Sequence, residues 1–212
     1  MSLRSFRSGR TLSVFVLAAA ILAACTRTPE PVLVREPRPK PVPLRIGIYN
    51  SPELQDFTYK HHLTDIGWVL GKPSVRLLNE AFTLLFVEVV EVAKPGSGPN
   101  LRGDLAGTIA PRIVSAEAVY RLGEVVAVGT RVLPVQPVQV TYGFTVYSQS
   151  GKPVASWEVT GRGTEPVDNG GIATLKRNFE GAMAEAARKL VNGFRDIPEI
   201  RQWLAEQGVR KD

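Results

Sequence analysis

One cysteine and two histidines are all that this 212-residue chain holds of the residues that build disulfides and most metal sites. A lone Cys25 cannot close an intramolecular bridge, so packing alone must hold the fold. His61 and His62 are adjacent, so their side chains diverge, and no third His or second Cys completes a metal set. The same scarcity leaves no Cys–His or Ser–His arrangement for nucleophilic catalysis. Asp and Glu are plentiful, yet no spacing singles out a pair for a carboxylate hydrolase. The expectation is a non-enzyme that carries neither metal nor cofactor. The apolar run over residues 11–22 is shorter than the about 20 residues that cross a bilayer as a helix.

Phosphate and dinucleotide loops are missing as well. Gly67 with Gly71, Lys72, Pro73 and Ser74 falls one residue short of a phosphate loop, and Pro73 removes an N–H where that loop needs a donor. Gly161-Arg162-Gly163 stands at a strand end, whereas a dinucleotide fingerprint needs a strand-to-helix turn.

What the chain does have begins at its amino terminus. Arg4, Arg7 and Arg10 form a positive region without an acid, the apolar run follows, and Leu22-Ala23-Ala24-Cys25 closes it. This stretch resembles a bacterial lipobox. The resemblance implies cleavage before Cys25, a diacylglyceryl thioether on its sulfur and an amide-linked acyl chain on its new amino terminus. Two or more chains anchor firmly, at about 0.8 kcal/mol per buried CH₂. The alternative is an ordinary secretory signal cut near Ala24, which would leave a free thiol in an oxidising compartment. In enteric lipoproteins an acid after the cysteine favours the inner membrane, so the resemblance, with Thr26 at that position, implies the periplasmic face of the outer membrane, with the inner membrane as the alternative.

Cleavage also changes the charge. The chain has 26 Lys and Arg against 20 Asp and Glu; losing the three signal arginines leaves 23 against 20, a net +3 on 188 residues. That is too little to argue for nucleic acid, so no nucleic-acid partner is expected. Residues 26–43 are a linker: Pro29, Pro31, Pro37, Pro39, Pro41 and Pro43 alternate with Arg27, Arg35, Arg38 and Lys40. Such a segment favours polyproline II and at ~3.1 Å per residue could hold a domain up to about 55 Å from the lipid. It is either a passive spacer or a basic contact with headgroups or cell wall.

Residues 44–206 read as one domain, followed by a polar tail over 207–212. Alternation predicts a strand over 44–49, ended by Asn50-Ser51-Pro52-Glu53. An irregular segment follows, with Phe57, Tyr59 and Trp68 as either an aromatic recognition patch or a lid over the first helix. Ser74 behind Pro73 looks like the N-cap of that helix, with Val75, Leu78, Phe82, Leu85 and Val89 on one face. Strands are expected near 88–93 and 104–117, the latter at an edge or bulged at Pro111. Val125, Val126, Val128, Val132, Leu133 and Val135, interrupted by Gly129 and Pro134, are either a partner- or lipid-facing surface or a strand pair completing the core. Val138 to Val146 alternates strictly, and Ala155, Trp157 and Val159 answer on a return strand. A long helix over 172–194 shows Leu175, Phe179, Met183, Ala186, Leu190 and Phe194 on one side, and a short helix over 197–204 ends the domain.

This order predicts an α+β fold: a two-layer sandwich with a mixed four- or five-stranded sheet and two main helices on one face. With the lipobox and proline linker ahead of it, the layout is similar to small envelope lipoproteins. These are the lipopolysaccharide-assembly lipoprotein, the auxiliary lipoprotein of ABC-type envelope transporters and the curli-secretion lipoprotein with its TolB-like amino-terminal fold. The resemblance implies an accessory or assembly role beside a protein partner in an envelope complex. A stand-alone lipid- or glycan-binding module is the alternative.

Overall fold

A computed structural model describes residues 40–60, 67–95, 105–118, 125–128, 131–134, 136–166 and 171–209, with backbone alone for 125–128 and 131–134. The lipobox Leu22-Ala23-Ala24-Cys25, the linker before Lys40, His61-His62 and the last residues of the tail lie outside the described residues.

Five strands form one mixed sheet in the order β4-β1-β5-β8-β9. Strand β1 (Val42–Ile48) lies parallel to both β4 (Phe86–Glu91) and β5 (Gly107–Ala118). Strand β8 (Val138–Ser148) pairs antiparallel with β5 and with β9 (Pro153–Gly163). Two helices, α2 (Gly71–Leu85) and α3 (Gly171–Gly193), cover one face, and a terminal α4 (Pro198–Glu206) closes one end. This is the expected α+β sandwich, with five strands.

The β8–β9 hairpin is the part that alternation specifies best. Val138, Val140, Tyr142, Phe144 and Val146 are each at most 1% exposed, and the residues between them are the wetter side. A one-residue slip would turn all five to solvent, at about 1.5–3 kcal/mol for each large side chain. Gly151, at φ 78°, makes the turn between the strands. Across the layer, Phe82 of α2 meets Phe144 edge-on at 6.0 Å, and Leu175, Phe179, Met183 and Leu190 of α3 are buried.

Helix α3 lies unusually near β9, and glycine is the reason. A Cβ built at Gly161 would stand 2.5 Å from the Ala186 nitrogen and closer still to the Ala182 carbonyl oxygen. One at Gly163 would meet the backbone of Asn178 in the same way. The small residues of the helix therefore have counterparts on the strand.

Several expectations change. Strand β1 starts at Val42, not at residue 44: Val42 is fully buried against Phe86, and Pro43 falls in a register shift where no ladder bond is needed. Asn50 to Glu53 does more than end that strand, because Ser51 caps a short helix α1 (Pro52–Gln55) by accepting from the Leu54 N–H at 3.2 Å. The segment after it is not irregular throughout; it holds β2 (Thr58–Lys60) paired with β3 (Gly67–Val69). Helix α2 begins at Gly71, so Ser74 is not its N-cap. Its hydroxyl is buried and bonds back to the Leu70 carbonyl at 2.7 Å. Pro111 occupies an edge in the local sense. Ile109 turns its carbonyl toward β1 to accept from Tyr49, so alternation aims the Pro111 nitrogen to the same side, past the last β1 partner. Finally, residues 125–134 hold a separate hairpin of β6 (Val125–Val128) and β7 (Arg131–Pro134), which does not join the five-stranded sheet.

Candidate functional site

The aromatic residues singled out in the sequence come together, but inside the fold. Register places Tyr59 opposite Trp68 across β2–β3, and the two rings stack with centroids 5.8 Å apart. Both then pack on Phe179 of α3, at 4.7 and 5.8 Å. Tyr59 is 9% exposed and Trp68 6%, so neither ring offers a surface to a ligand. Phe57 is half-buried against the same core. The β2–β3 hairpin is thus a lid, seated over the long helix rather than the first one. Val125, Val126 and Val128 lie on β6, and their side chains are outside the description.

Between α2, α3 and β8 is a polar group the sequence did not reveal. The Tyr142 and Ser74 hydroxyls are 2.7 Å apart, and Ser74 Oγ also lies 3.4 Å from Met183 Sδ. Burial pushes the Tyr142 phenol well above its ordinary pKa, against the smaller opposing effect of the Ser74 hydrogen bond. The bond between this neutral tyrosine and the serine ties α2 to β8. Among the described residues, no three His, Cys, Asp or Glu side chains converge where a metal could sit.

The two edges of the sheet are treated differently. At β9, side chains of α3 take two of the outward backbone groups. The Glu185 carboxylate accepts from the Arg162 N–H, and Lys189 Nζ donates to the Thr160 carbonyl at 2.9 Å. Farther on, Asn178 Oδ1 accepts from the Glu165 N–H at 2.6 Å, while its Nδ2 donates to the Gln136 and Glu165 carbonyls at 3.0 and 3.2 Å. Desolvation raises the Glu185 pKa, but the Arg162 N–H and Lys189 outweigh it and hold the carboxylate below its usual range. These contacts cover the carboxyl-terminal end of this edge. At β4 no described residue pairs on the outer side, and Val87 is 70% exposed.

The chain joins the domain beside β4. The Lys40 carbonyl accepts from Arg195 Nη2 at 2.6 Å, just beyond the carboxyl end of α3, and Val42 pairs with Phe86. The linker is therefore fixed to the body at its last residues. On the sheet face away from the helices, Arg45–Glu88 (2.9 Å), Arg112–Glu158 (3.8 Å) and the Thr141–Thr160 hydroxyl pair (2.9 Å) form a solvated, charge-balanced surface.

No protein-family model matches the chain, and no curated protein matches it either. Solved structures do. A crystal structure from Xanthomonas campestris, of the family designated DUF330, superposes with a TM-score of 0.54 at 13% identity, over 88% of this chain and 99% of that one. The chain therefore shares that protein's fold. A minor lipoprotein from Acinetobacter baumannii (TM-score 0.41, 7% identity, 72% and 92% covered) is a more distant likeness. So is a lipoprotein from Neisseria meningitidis (0.36, 10%, 73% and 99%). No described helix is long and apolar enough to cross a membrane.

Proposed function

We propose that the protein is a lipid-anchored envelope lipoprotein, held by Cys25 at the periplasmic face of the outer membrane. In this reading it serves as a non-enzymatic accessory or assembly subunit in envelope transport or biogenesis. The observation that carries the reading is Leu22-Ala23-Ala24-Cys25 directly behind a basic and apolar leader, with the chain's sole cysteine at the modified position. Behind it, a proline-rich tether leads to a domain in which Val42 is fully buried. Three polar residues of the core, Ser74, Tyr142 and Asn178, hold elements together, which supports a binding or assembly role. Burial of Tyr59 and Trp68 supports the accessory role over a free-standing lipid or glycan module, which would need those rings at the surface.

Membrane fractionation of the Cys25→Ser variant tests the anchor. The wild-type chain should sediment with membranes and resist salt and carbonate washing, and the variant should be released. A wild-type chain that washes off as readily as the variant contradicts the proposal. Crosslinking followed by detergent extraction tests the role, because an accessory subunit should bring the same membrane-associated partner in every preparation.

A further inference from the structure

The chain enters the body through an inner strand of the sheet. Strand β1 lies between β4 and β5 and is parallel to both, with Val42 opposite Phe86 at its foot and Ile48 opposite Ile109 near its far end. Its backbone is bonded on both sides. Toward β5, the Ala106 N–H donates to the Arg45 carbonyl at 2.8 Å, and the Tyr49 N–H to the Ile109 carbonyl at 2.9 Å. Toward β4, the Val92 N–H donates to the Ile48 carbonyl at 2.9 Å, and the Arg45–Glu88 ion pair crosses the same boundary. Val42, Ile46 and Ile48 belong to the buried core, so the strand is also gripped by its side chains.

The direction of a pull decides how such bonds fail. Ladder bonds run across the strands, so a pull along a strand loads all of them together. A pull that parts two neighbouring strand ends loads only the outermost bond, and then each one in turn. We infer that the body is built to carry tension arriving through its tether, with β1 as the strand that takes the load in shear. An edge strand in that place would be held by one neighbour; β1 is held by two.

The bond from Arg195 Nη2 to the Lys40 carbonyl stands ahead of Val42 and meets the pull first. It is a single exposed bond, so it sets where the tether leaves the body, while the ladder and the buried side chains behind it set the resistance. The inference rests on the anchored reading only for the source of the tension. The resistance belongs to the body and needs no lipid on Cys25.

Optical tweezers with DNA handles on two thiols test it, on the chain from residue 25 onward. One handle sits on Cys25, and the second on Glu117→Cys in one chain or Val87→Cys in another. Glu117 lies on β5 about 25 Å past Ile109, so the first pair of handles draws β1 and β5 along each other. Val87 adjoins Phe86, opposite Val42, so the second pair parts two neighbouring ends. Both positions are exposed, and urea unfolding checks that the two chains keep one stability, leaving direction as the difference between them. At one loading rate, the rupture force should be at least about twofold higher with the handle at 117 than at 87. Arg195→Ala should leave the higher force nearly unchanged. Equal forces in the two directions overturn the inference. So does a force at 117 that falls to the level at 87 in Arg195→Ala, which would put the load on the one bond at Lys40 instead of the ladder.

Discussion

The spacing between α3 and β9 gives two substitutions of the same kind with opposite signs. Gly161→Ala places a methyl group against Ala182 O, Ala186 N and Ala186 Cβ, the last at 2.9 Å. All three belong to helix backbone or to a side chain with no rotamer to change. The helix must therefore move off the strand, loosening contacts along buried Phe179, Met183 and Ala186. Overpacking in a core typically costs about 1–3 kcal/mol, and a clash with rigid backbone belongs at or above the upper end, so about 3 kcal/mol is expected. Gly181→Ala lies across the same interface, but its Cβ meets only Gly163 Cα at 3.7 Å, an ordinary contact. There the gain in helix propensity prevails, and stability rises by about 0.5–1 kcal/mol. Urea unfolding of the soluble Cys25→Ser chain, followed by circular dichroism, measures both. If Gly161→Ala stays within about 0.5 kcal/mol of the parent, the reasoning is refuted, because the helix then has room that the geometry denies.

Two further outcomes follow from the polar groups. Ser74 donates to the Leu70 carbonyl, so Tyr142 is the donor in the Ser74–Tyr142 bond. Ser74→Ala strands a buried phenol and should cost about 2–3 kcal/mol, while Tyr142→Phe should cost about 1 kcal/mol; the double variant should cost less than the sum, as a double-mutant cycle in urea reads directly. Glu185 has a folded pKa below its unfolded one, so its contribution is present above the ordinary carboxylate range and is lost as pH falls through the lowered value. Glu185→Gln should therefore lose about 1 kcal/mol at pH 7 and flatten the acid side of the stability profile, and an unchanged acid limb would count against the bond to Arg162.

Much of this architecture was legible because long elements repeat their signal. The alternation over β8 and the helical spacing over α3 each recur often enough to define a buried face, and both faces are as read. Short elements offered no such repetition. In β2 and β3, three residues each, Tyr59 and Trp68 are single aromatic positions in their strands, and their shared partner Phe179 comes from the far end of the chain. An aromatic loop and an aromatic lid therefore look alike in sequence. Ser74 followed Pro73 as a cap would, yet the helix had already begun one turn earlier, and the hydroxyl was needed inside. The real cap signal, Ser51-Pro52-Glu53, has the same composition as a strand end. The two contacts that cover the end of β9 had no sequence signature, since Glu185 and Lys189 at four-residue spacing look like any solvated helical pair. Of the candidate site, the anchor motif was plain in the sequence and lies outside the described structure, while the aromatic patch belongs to the core.

Intact-mass analysis of the protein extracted from its native membranes tests the central claim most directly. The account predicts a mature chain of 188 residues beginning at Cys25, heavier than its sequence by a diacylglyceryl group and an amide-linked acyl chain. A chain that begins at any other residue, or a Cys25 with an unmodified thiol, would contradict it.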